Sequence, residues 1–176
     1  MDFKVAGISL YYIISWFFIY SFLGWVWESC YVSVKSRKPV NRGFINGPFC
    51  TIYGFGAVSV YLILKNFDQD LLVLYIGGVV VATVLEFITG WLMETIFHTR
   101  WWDYSDLRFQ IQGRVCLVGL VIFGIGGLLL VYRLAPAASR LLKRIPPKTL
   151  EILCLVLILL FAADFCHSIF RPNMGD

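Results

Sequence analysis

Charged residues are scarce in this sequence. Only 15% of its 176 residues are Asp, Glu, Lys or Arg, whereas 59% are hydrophobic. A soluble domain usually has about a quarter of its residues charged, so the composition excludes an ordinary soluble domain. The apolar residues come in runs long enough to cross a bilayer, which takes about 20 residues of helix. The sequence therefore predicts an all-α integral membrane protein with about five transmembrane helices.

Several catalytic and metal-binding signatures are also absent. The chain has no GxxxxGK[ST] segment, so it does not hydrolyse ATP through a P-loop. It has no GxSxG, protein-kinase or HExxH pattern either. Its five cysteines form no CxxC pair, and each lies in or beside an apolar run, which is typical of small buried hydrophobic residues. We therefore predict no catalytic residue, no metal site and no cofactor.

The net charge of +4 comes from basic loops. Such loops suit the anionic surface of a membrane, and we predict the lipid bilayer, not nucleic acid, as the partner of this charge. Proline and glycine mark the boundaries of the helices, because proline removes a backbone donor and glycine relaxes the backbone. The five predicted transmembrane helices are Leu10–Val34, Pro48–Leu64, Leu71–Phe97, Val115–Tyr132 and Leu150–Phe170.

The second predicted helix is short, and Pro48 is well placed to open it because the missing N–H of proline costs nothing there. Gly54 and Gly56 lie within it, so this helix either packs tightly against a neighbour or begins below the lipid surface as a re-entrant piece. Between the last two helices, residues 134–149 form a basic connector. Part of this connector can lie on the membrane as an amphipathic helix before Pro146 and Pro147 stop it.

An internal repeat organises the chain. A shift of 66 residues superimposes the stretch from Gly24 to Cys50 on the stretch from Gly90 to Cys116 without a gap, with seven identities in 27 positions. About two would be expected by chance at ordinary residue frequencies. The identical pairs are Gly24/Gly90, Trp25/Trp91, Glu28/Glu94, Arg42/Arg108, Ile45/Ile111, Gly47/Gly113 and Cys50/Cys116.

The repeat predicts the organisation of the whole chain. Residues 1–176 form a single transmembrane domain, in which repeat one covers about 10–65 and repeat two about 71–133. The connector 134–149 and a fifth helix, 150–170, follow. Each repeat crosses the membrane twice and keeps its orientation, so the two repeats are parallel and their arginine-containing loops lie on one side. Lys and Arg number eight on that side and seven on the other, so the positive-inside rule does not choose between them.

Four acidic residues are predicted at or near membrane depth, where charge is costly and needs a partner or an aqueous cavity. Of these, Glu28 and Glu94 recur in the repeat. Arg42, Arg108 and Arg114 are the expected partners, because buried carboxylates are usually paired with guanidinium groups. These pairs hold the loops against the helix ends, line a polar cavity at the repeat interface, or do both. The candidate substrate-binding residues are Glu28, Glu94, Arg42, Arg108, Asn46, Gln112, Glu86, Arg114 and Asp164.

Five segments carry a resemblance to a known family. They are FLGWVWES (residues 22–29), NRGFINGPFCTIYGFGA (41–57), LEFITGWLMET (85–95), RWWDYS (100–105) and IQGRVCL (111–117). Together they resemble the bacterial family named putative ABC-transporter type IV, or CmpB-like, over about residues 17–127. The resemblance implies a permease subunit of an ATP-driven transporter in the bacterial cytoplasmic membrane. It also implies a separate ATPase as partner, and either a homodimer or other membrane subunits, since five helices are few for a permease.

Three interpretations of the function remain open. In the first, the protein is a permease-like transport protein whose Glu/Arg cluster binds a polar or ionic solute. In the second, it is a membrane-embedded enzyme that acts on a lipid-linked substrate, with Glu28 or Glu94 as general base. In the third, it is a structural or assembly subunit whose Glu–Arg pairs lock the fold. Transport predicts water at the glutamates, the enzyme predicts a pocket open to lipid, and assembly predicts a closed cluster.

Overall fold

The computed structural model describes residues 3–171, and it is almost entirely helical. Its six helices are α1 (Leu10–Ser36), α2 (Thr51–Leu64), α3 (Leu71–Phe97), α4 (Leu117–Leu129), α5 (Ala135–Leu142) and α6 (Pro147–Phe170). Two antiparallel hairpins of two-residue strands accompany them. The strands are β1 (Lys4–Val5), β2 (Ile8–Ser9), β3 (Gln110–Ile111) and β4 (Val115–Cys116).

The described chain has four helical segments that are long and apolar enough to cross a membrane: Leu10–Ser36, Leu71–Phe97, Leu117–Leu142 and Pro147–Phe170. Large apolar side chains stay exposed along them, for example Leu159 and Leu160 at 61% and 64%. A water-soluble protein rarely leaves contiguous apolar surface of this kind uncovered. The predicted all-α membrane fold is therefore confirmed, with four long helices and the short helix α2.

Helix α2 begins later than predicted. Pro48 does not open it, since the helix starts at Thr51. The reason is a backbone hydrogen bond from the Cys50 N–H to the Ser21 carbonyl of α1 at 2.9 Å, which ties the chain to α1 just before the helix begins. The 14 residues of α2 span about 21 Å at 1.5 Å per residue, and a 3₁₀ turn, Lys65–Phe67, extends it.

The fourth helix does not end at Tyr132 as predicted. A π-helical turn, Leu130–Leu134, joins α4 directly to α5, so the helical segment runs to Leu142. Pro136, which has no N–H to donate, follows this π turn, whose last hydrogen bond runs from the Ala135 N–H to the Leu130 carbonyl. Part of the predicted amphipathic connector is thus the last two turns of a long helix, and Pro147 then opens α6 as its first residue.

The chain divides into two compact units. The first unit consists of the residues up to Val58 and those from Ala137 onward, and in this unit α1 packs against α6. The Ser15 hydroxyl lies 3.3 Å from the Cys154 thiol, and the rings of Phe17 and Phe18 both lie 5.9 Å from the ring of Phe161. These contacts occur in the same order along both helices, so α1 and α6 are parallel.

In the first unit, α2 approaches α1 through glycine. A Cβ atom on Gly54 would lie 2.2 Å from the Ser21 hydroxyl and 2.6 Å from the Phe17 carbonyl oxygen. One turn further along α1, a Cβ atom on Gly24 would enter the ring of Tyr53. Small residues let membrane helices approach each other in this way, so the prediction that α2 packs tightly against a neighbour is confirmed.

The second unit, Ser59–Pro136, is built on the antiparallel pair α3 and α4. A Cβ atom on Gly78 would lie 3.3 Å from the Cα atom of Gly127, so the two backbones touch at this point. The ring of Tyr75 fills the space above Gly124. At the other end of α3, the loop 98–116 folds back and ends in the β3–β4 hairpin, which carries the residues described next.

Candidate functional site

The first cluster consists of Glu28, Arg42 and Tyr53. Glu28 lies on α1, eight residues before its end, which places its Cα about 12 Å below the end of the helix. Its Oε2 accepts a hydrogen bond from Arg42 Nε at 3.5 Å, and its Oε1 accepts one from the Tyr53 hydroxyl at 2.8 Å. The expected pair of Glu28 with Arg42 is therefore present, and Tyr53 is an addition that the sequence did not suggest.

The loop after α1 holds Arg42 in place through its backbone. The Arg42 N–H donates to the Ser29 hydroxyl at 3.1 Å, and the Val40 N–H donates to the Ser33 hydroxyl at 2.9 Å. Val40 and Ile45 are 5% and 1% exposed and anchor the loop in the first unit. Two serines on α1 thus satisfy loop amides and fix the position from which Arg42 reaches Glu28.

The second cluster consists of Glu94, Arg100 and Arg114. Arg100 Nε donates to Glu94 Oε1 at 2.9 Å, and Arg114 Nη2 donates to Glu94 Oε2 at 2.6 Å. Both carboxylate oxygens are therefore bonded to guanidinium groups, which is the strong, charge-assisted form of hydrogen bond. Arg114 also donates to the Gln112 side-chain oxygen and lies over the ring of Phe87.

Arg100 replaces Arg108 as the loop arginine that binds Glu94. The guanidinium of Arg108 lies over the ring of Phe109 instead, 5.8 Å from its centroid. The repeat predicted Arg108 as the partner of Glu94, because Arg108 corresponds to Arg42 in sequence. Helix α3, however, ends only three residues after Glu94, whereas α1 continues for eight residues after Glu28. The chain therefore turns back earlier in the second repeat, and an arginine six residues after the glutamate is within reach.

Other loop residues hold Arg100 in turn. Its Nη1 lies 3.3 Å from Asp103 Oδ2, and the hydrogen bond to Glu94 raises the pKa of Arg100 above its ordinary value. Asp103 Oδ1 accepts hydrogen bonds from the Ser105 hydroxyl and the Ser105 N–H, at 2.6 and 2.9 Å. These two bonds, with a smaller effect of Arg100, lower the pKa of Asp103. The loop is thus charged at neutral pH.

Glu86 lies two turns before Glu94 on α3 and is 9% exposed. Its Oε1 accepts a hydrogen bond from the Tyr104 hydroxyl at 3.2 Å. The Tyr104 N–H donates to the carbonyl of Gly113 at 2.7 Å, so the same loop that carries Arg100 also brings a phenol to Glu86. Glu86 and Glu94 are eight residues apart on α3, and this loop binds both of them.

Asp164 binds the first loop from α6. Its Oδ2 accepts from the Gly47 N–H at 2.7 Å, and its Oδ1 accepts from the backbone and side-chain amides of Asn46, both at 3.3 Å. The Asn46 side chain also reaches Ser168 at 3.1 Å and a ring nitrogen of His167 at 3.3 Å. We call this arrangement the Asp164 clamp. It separates Asn46 and Asp164 from the ion pair of Glu28 with Arg42.

The two loops differ in conformation although their sequence spacing is the same. Both loops start with a left-handed residue after the helix, Arg37 and His98. The other left-handed residues are Gly43 in the first loop and Gln112 and Gly113 in the second, and none of these positions correspond under the shift of 66. Ile45 is buried, whereas its counterpart Ile111 is 54% exposed. Cys50 and Cys116 do correspond, since each lies buried directly before a helix. The internal repeat and a shared interface of the two clusters stay predictions.

These observations define a class. The protein is a helical membrane protein in which two long apolar helices each carry a glutamate that is bonded to arginine from the following loop. The sequence model of the family described as "Putative ABC-transporter type IV" matches residues 15–169, so the chain belongs to this family, as its motifs predicted. No curated protein and no solved structure matches the chain.

Proposed function

We propose that this protein is a permease-like transport subunit of the bacterial cytoplasmic membrane, and that its Glu–Arg clusters bind a polar or ionic solute. Two considerations support the proposal: the family is described as ABC-transporter-related, and the chain retains paired charges on helices that are otherwise apolar. Charges in such helices usually mark the path of a solute or ion. Because the chain has no P-loop, a separate ATPase would supply the energy, and a second copy or another membrane subunit would complete the pathway.

One observation carries the proposal. The side chains of Glu94 and Arg100 keep 29% and 35% of their surface exposed while they are bonded to each other, and Glu28 keeps 33%. Ion pairs that only locked the fold would be expected to be closed on all sides. An accessible carboxylate–guanidinium pair can instead exchange one partner for a charged group of a solute, because each of its hydrogen bonds is replaced by a similar one.

Cysteine accessibility tests whether water reaches these clusters. The native cysteines are removed, and a single cysteine then replaces either Glu28 or Glu94. Each variant is labelled in membranes of known sidedness. We expect both to react with a charged, membrane-impermeant thiol reagent. Ile88→Cys, exposed on α3 two turns from Glu94, should face lipid and stay unlabelled, and Asp106→Cys in the exposed loop should react.

A second pair of probes leaves the ion pairs intact. Tyr53→Cys and Phe87→Cys place a thiol beside the clusters without removing a glutamate, so they report on the site even if the first variants fold poorly. If Asp106→Cys reacts in folded protein and none of the four cluster probes does, the clusters are dry and the transport proposal is wrong.

The assembly interpretation remains the second candidate because of one contact pattern. Both oxygens of Glu94 are already bonded to arginines, which satisfies the carboxylate without any ligand. A dry cluster in the accessibility experiment is the result that this interpretation predicts. The same bonds disfavour Glu94 as the general base of the enzyme interpretation, since a carboxylate bonded through both oxygens to guanidinium groups is a weak base.

A further inference from the structure

A basic segment, Arg140–Lys148, lies between the last two long helices. It contains four cations and no acidic residue, and all four side chains are exposed. Within residues 3–171, no carboxylate forms an ion pair with any of them. The cations are Arg140, Lys143, Arg144 and Lys148.

The geometry of the segment places three of these cations on one face. The helical hydrogen bonds continue past the end of α5, since the N–H groups of Lys143 and Arg144 donate to the carbonyls of Ser139 and Leu141 at 3.0 and 3.1 Å. At 100° per residue, positions 140, 143 and 144 lie within about 100° of one another. Ala138 and Leu142, 8% and 4% exposed, point to the opposite side. The segment thus packs on one face and presents cations on the other.

The position of the segment indicates what covers this face. One candidate membrane span ends at Leu142 and the next begins at Pro147, so we expect the segment to turn at the membrane surface, at the depth of lipid phosphate groups. Leu141 is 56% exposed beside the cations. Cations with a neighbouring apolar side chain suit the boundary between headgroups and acyl chains better than they suit water or a purely polar partner.

We propose that the basic segment Arg140–Lys148 binds the phosphate groups of anionic lipids in the adjoining leaflet. The binding requires neither cluster and no transported solute, so it stands or falls independently of the proposed function. Each cation near an anionic surface strengthens binding by roughly fivefold. Because the attraction is electrostatic and exposed, salt should weaken it.

Lipid selectivity of the purified full-length protein tests the proposal. The protein is reconstituted into phosphatidylcholine vesicles, and the binding of spin-labelled phosphatidylglycerol is compared with that of spin-labelled phosphatidylcholine. We expect a preference for the anionic lipid that falls by tenfold or more in the triple variant R140Q/K143Q/R144Q, and that high salt reduces. The charge-conserving variant R140K/R144K should keep the preference.

A charge-matched control and a local probe make the test specific. The variant K35Q/R37Q/K38Q removes the same number of cations at the end of α1 and should keep most of the preference. A fluorophore on Ala137→Cys, in a background where the exposed Cys30 and Cys166 are serine, should be quenched more by nitroxide-labelled phosphatidylglycerol than by the phosphatidylcholine analogue.

Three results would overturn the proposal. The first is no anionic preference in the full chain, which would leave an acidic protein as the partner of these cations. The second is an unchanged preference in the glutamine variant of the segment. The third is an equal loss in the α1 control together with equal quenching by both lipids, which would mean that only the overall charge matters.

Discussion

Individual side chains explain why the loops stay attached to the membrane helices. Each charged group of the clusters has a partner supplied by a short stretch of chain: Arg42 follows Glu28 by 14 residues and Arg100 follows Glu94 by six. Serine, tyrosine and backbone groups supply further hydrogen bonds to the clusters and their loops. A charge at membrane depth needs a partner or an aqueous cavity, and these partners come from the loops, so the loops and the glutamates depend on each other.

Cys50 offers a test of this tight packing. It is 6% exposed, and burial, with the nearby charge of Glu28, raises the pKa of its thiol from 9.0 to about 12, against a smaller lowering by Arg42. Because the thiolate is the nucleophile, we expect a maleimide to leave Cys50 unmodified in the folded, detergent-solubilised protein at pH 7 and pH 8, and to modify at most the exposed Cys30 and Cys166. All five cysteines should react after denaturation, as counted by intact-mass measurement.

The same pKa predicts how stability depends on pH. Well below pH 9 the thiol is protonated in both the folded and the unfolded protein, so Cys50 does not make the free energy of unfolding depend on pH. Between pH 9 and 12 the unfolded chain loses the proton first, and the contribution of Cys50 then destabilises the folded state as the pH rises. If intact-mass measurement finds a third maleimide adduct on the folded protein at pH 8, this contradicts the buried position of Cys50.

Much of the site was predictable residue by residue, because a glutamate in an apolar run needs a cation and the nearest loops supply arginines. Arg42 and Arg114 were predicted for this reason. Arg100 was not, since the choice of Arg108 assumed that equal spacing means equal geometry. The end of α3 at Phe97, which the left-handed residue His98 follows, was predicted; it lies nearer to Glu94 than the end of α1 lies to Glu28, and the choice of Arg108 did not use this difference.

Glycine contacts determine how closely α2 packs on α1 and α3 on α4, whereas the bounds of the helices depend on other features of the sequence. The bounds of α3 were predicted correctly, because a long apolar run between polar turns determines them. The continuity of α4 with α5 was not predictable in this way: arginine and proline at 133–136 suggested a break, whereas the π-helical turn Leu130–Leu134 carries the chain through. Single-turn π segments occur inside α-helices, and no local sequence signal predicted this one.

Gly54 and Gly56 on α2 form a matched pair for testing the contact of α2 with α1. Alanine at position 54 would place its Cβ 2.2 Å from the Ser21 hydroxyl and 2.6 Å from a backbone oxygen, whereas a Cβ at position 56 meets nothing within 4 Å. We expect Gly54→Ala to destabilise the protein by about 1–3 kcal/mol through overpacking. Gly56→Ala should be neutral or stabilise by up to about 1 kcal/mol through helix propensity.

Thermal unfolding of the two variants in the same detergent measures this difference. Activity is not needed, which keeps the test independent of any function. Equal melting temperatures for both variants would show that α2 does not approach α1 at Gly54.

The distribution of cations over the molecule predicts an orientation in the membrane. With five crossings, the sequence puts eight cations on the side of the two arginine loops and seven on the side of α5. Three of the eight, Arg42, Arg100 and Arg114, are bound to glutamates, so only five remain available to act as topological signals. The basic segment Arg140–Lys148 on the other side is exposed and concentrated, and the positive-inside rule therefore favours that side as cytoplasmic.

Sided labelling in intact bacterial cells checks this orientation. In the variant without native cysteines, Asp106→Cys should react with an impermeant reagent from outside. Lys148→Cys should react only after the membrane is opened. The reverse pattern would contradict the predicted orientation, and labelling of both positions from outside would contradict an odd number of crossings between them.

The Asp164 clamp has a consequence for the order in which the protein assembles. The middle unit is one continuous stretch of chain, whereas the other unit joins its beginning to its end. The loop after α1 leaves the ribosome early, yet the carboxylate that holds its Asn46 and Gly47 amides arrives 117 residues later, on the last helix. Domains generally fold as they are synthesised, but this loop cannot form its hydrogen bonds to Asp164 until α6 has been synthesised. The middle unit can therefore form its contacts first, and the other unit is completed only after α6 has been inserted.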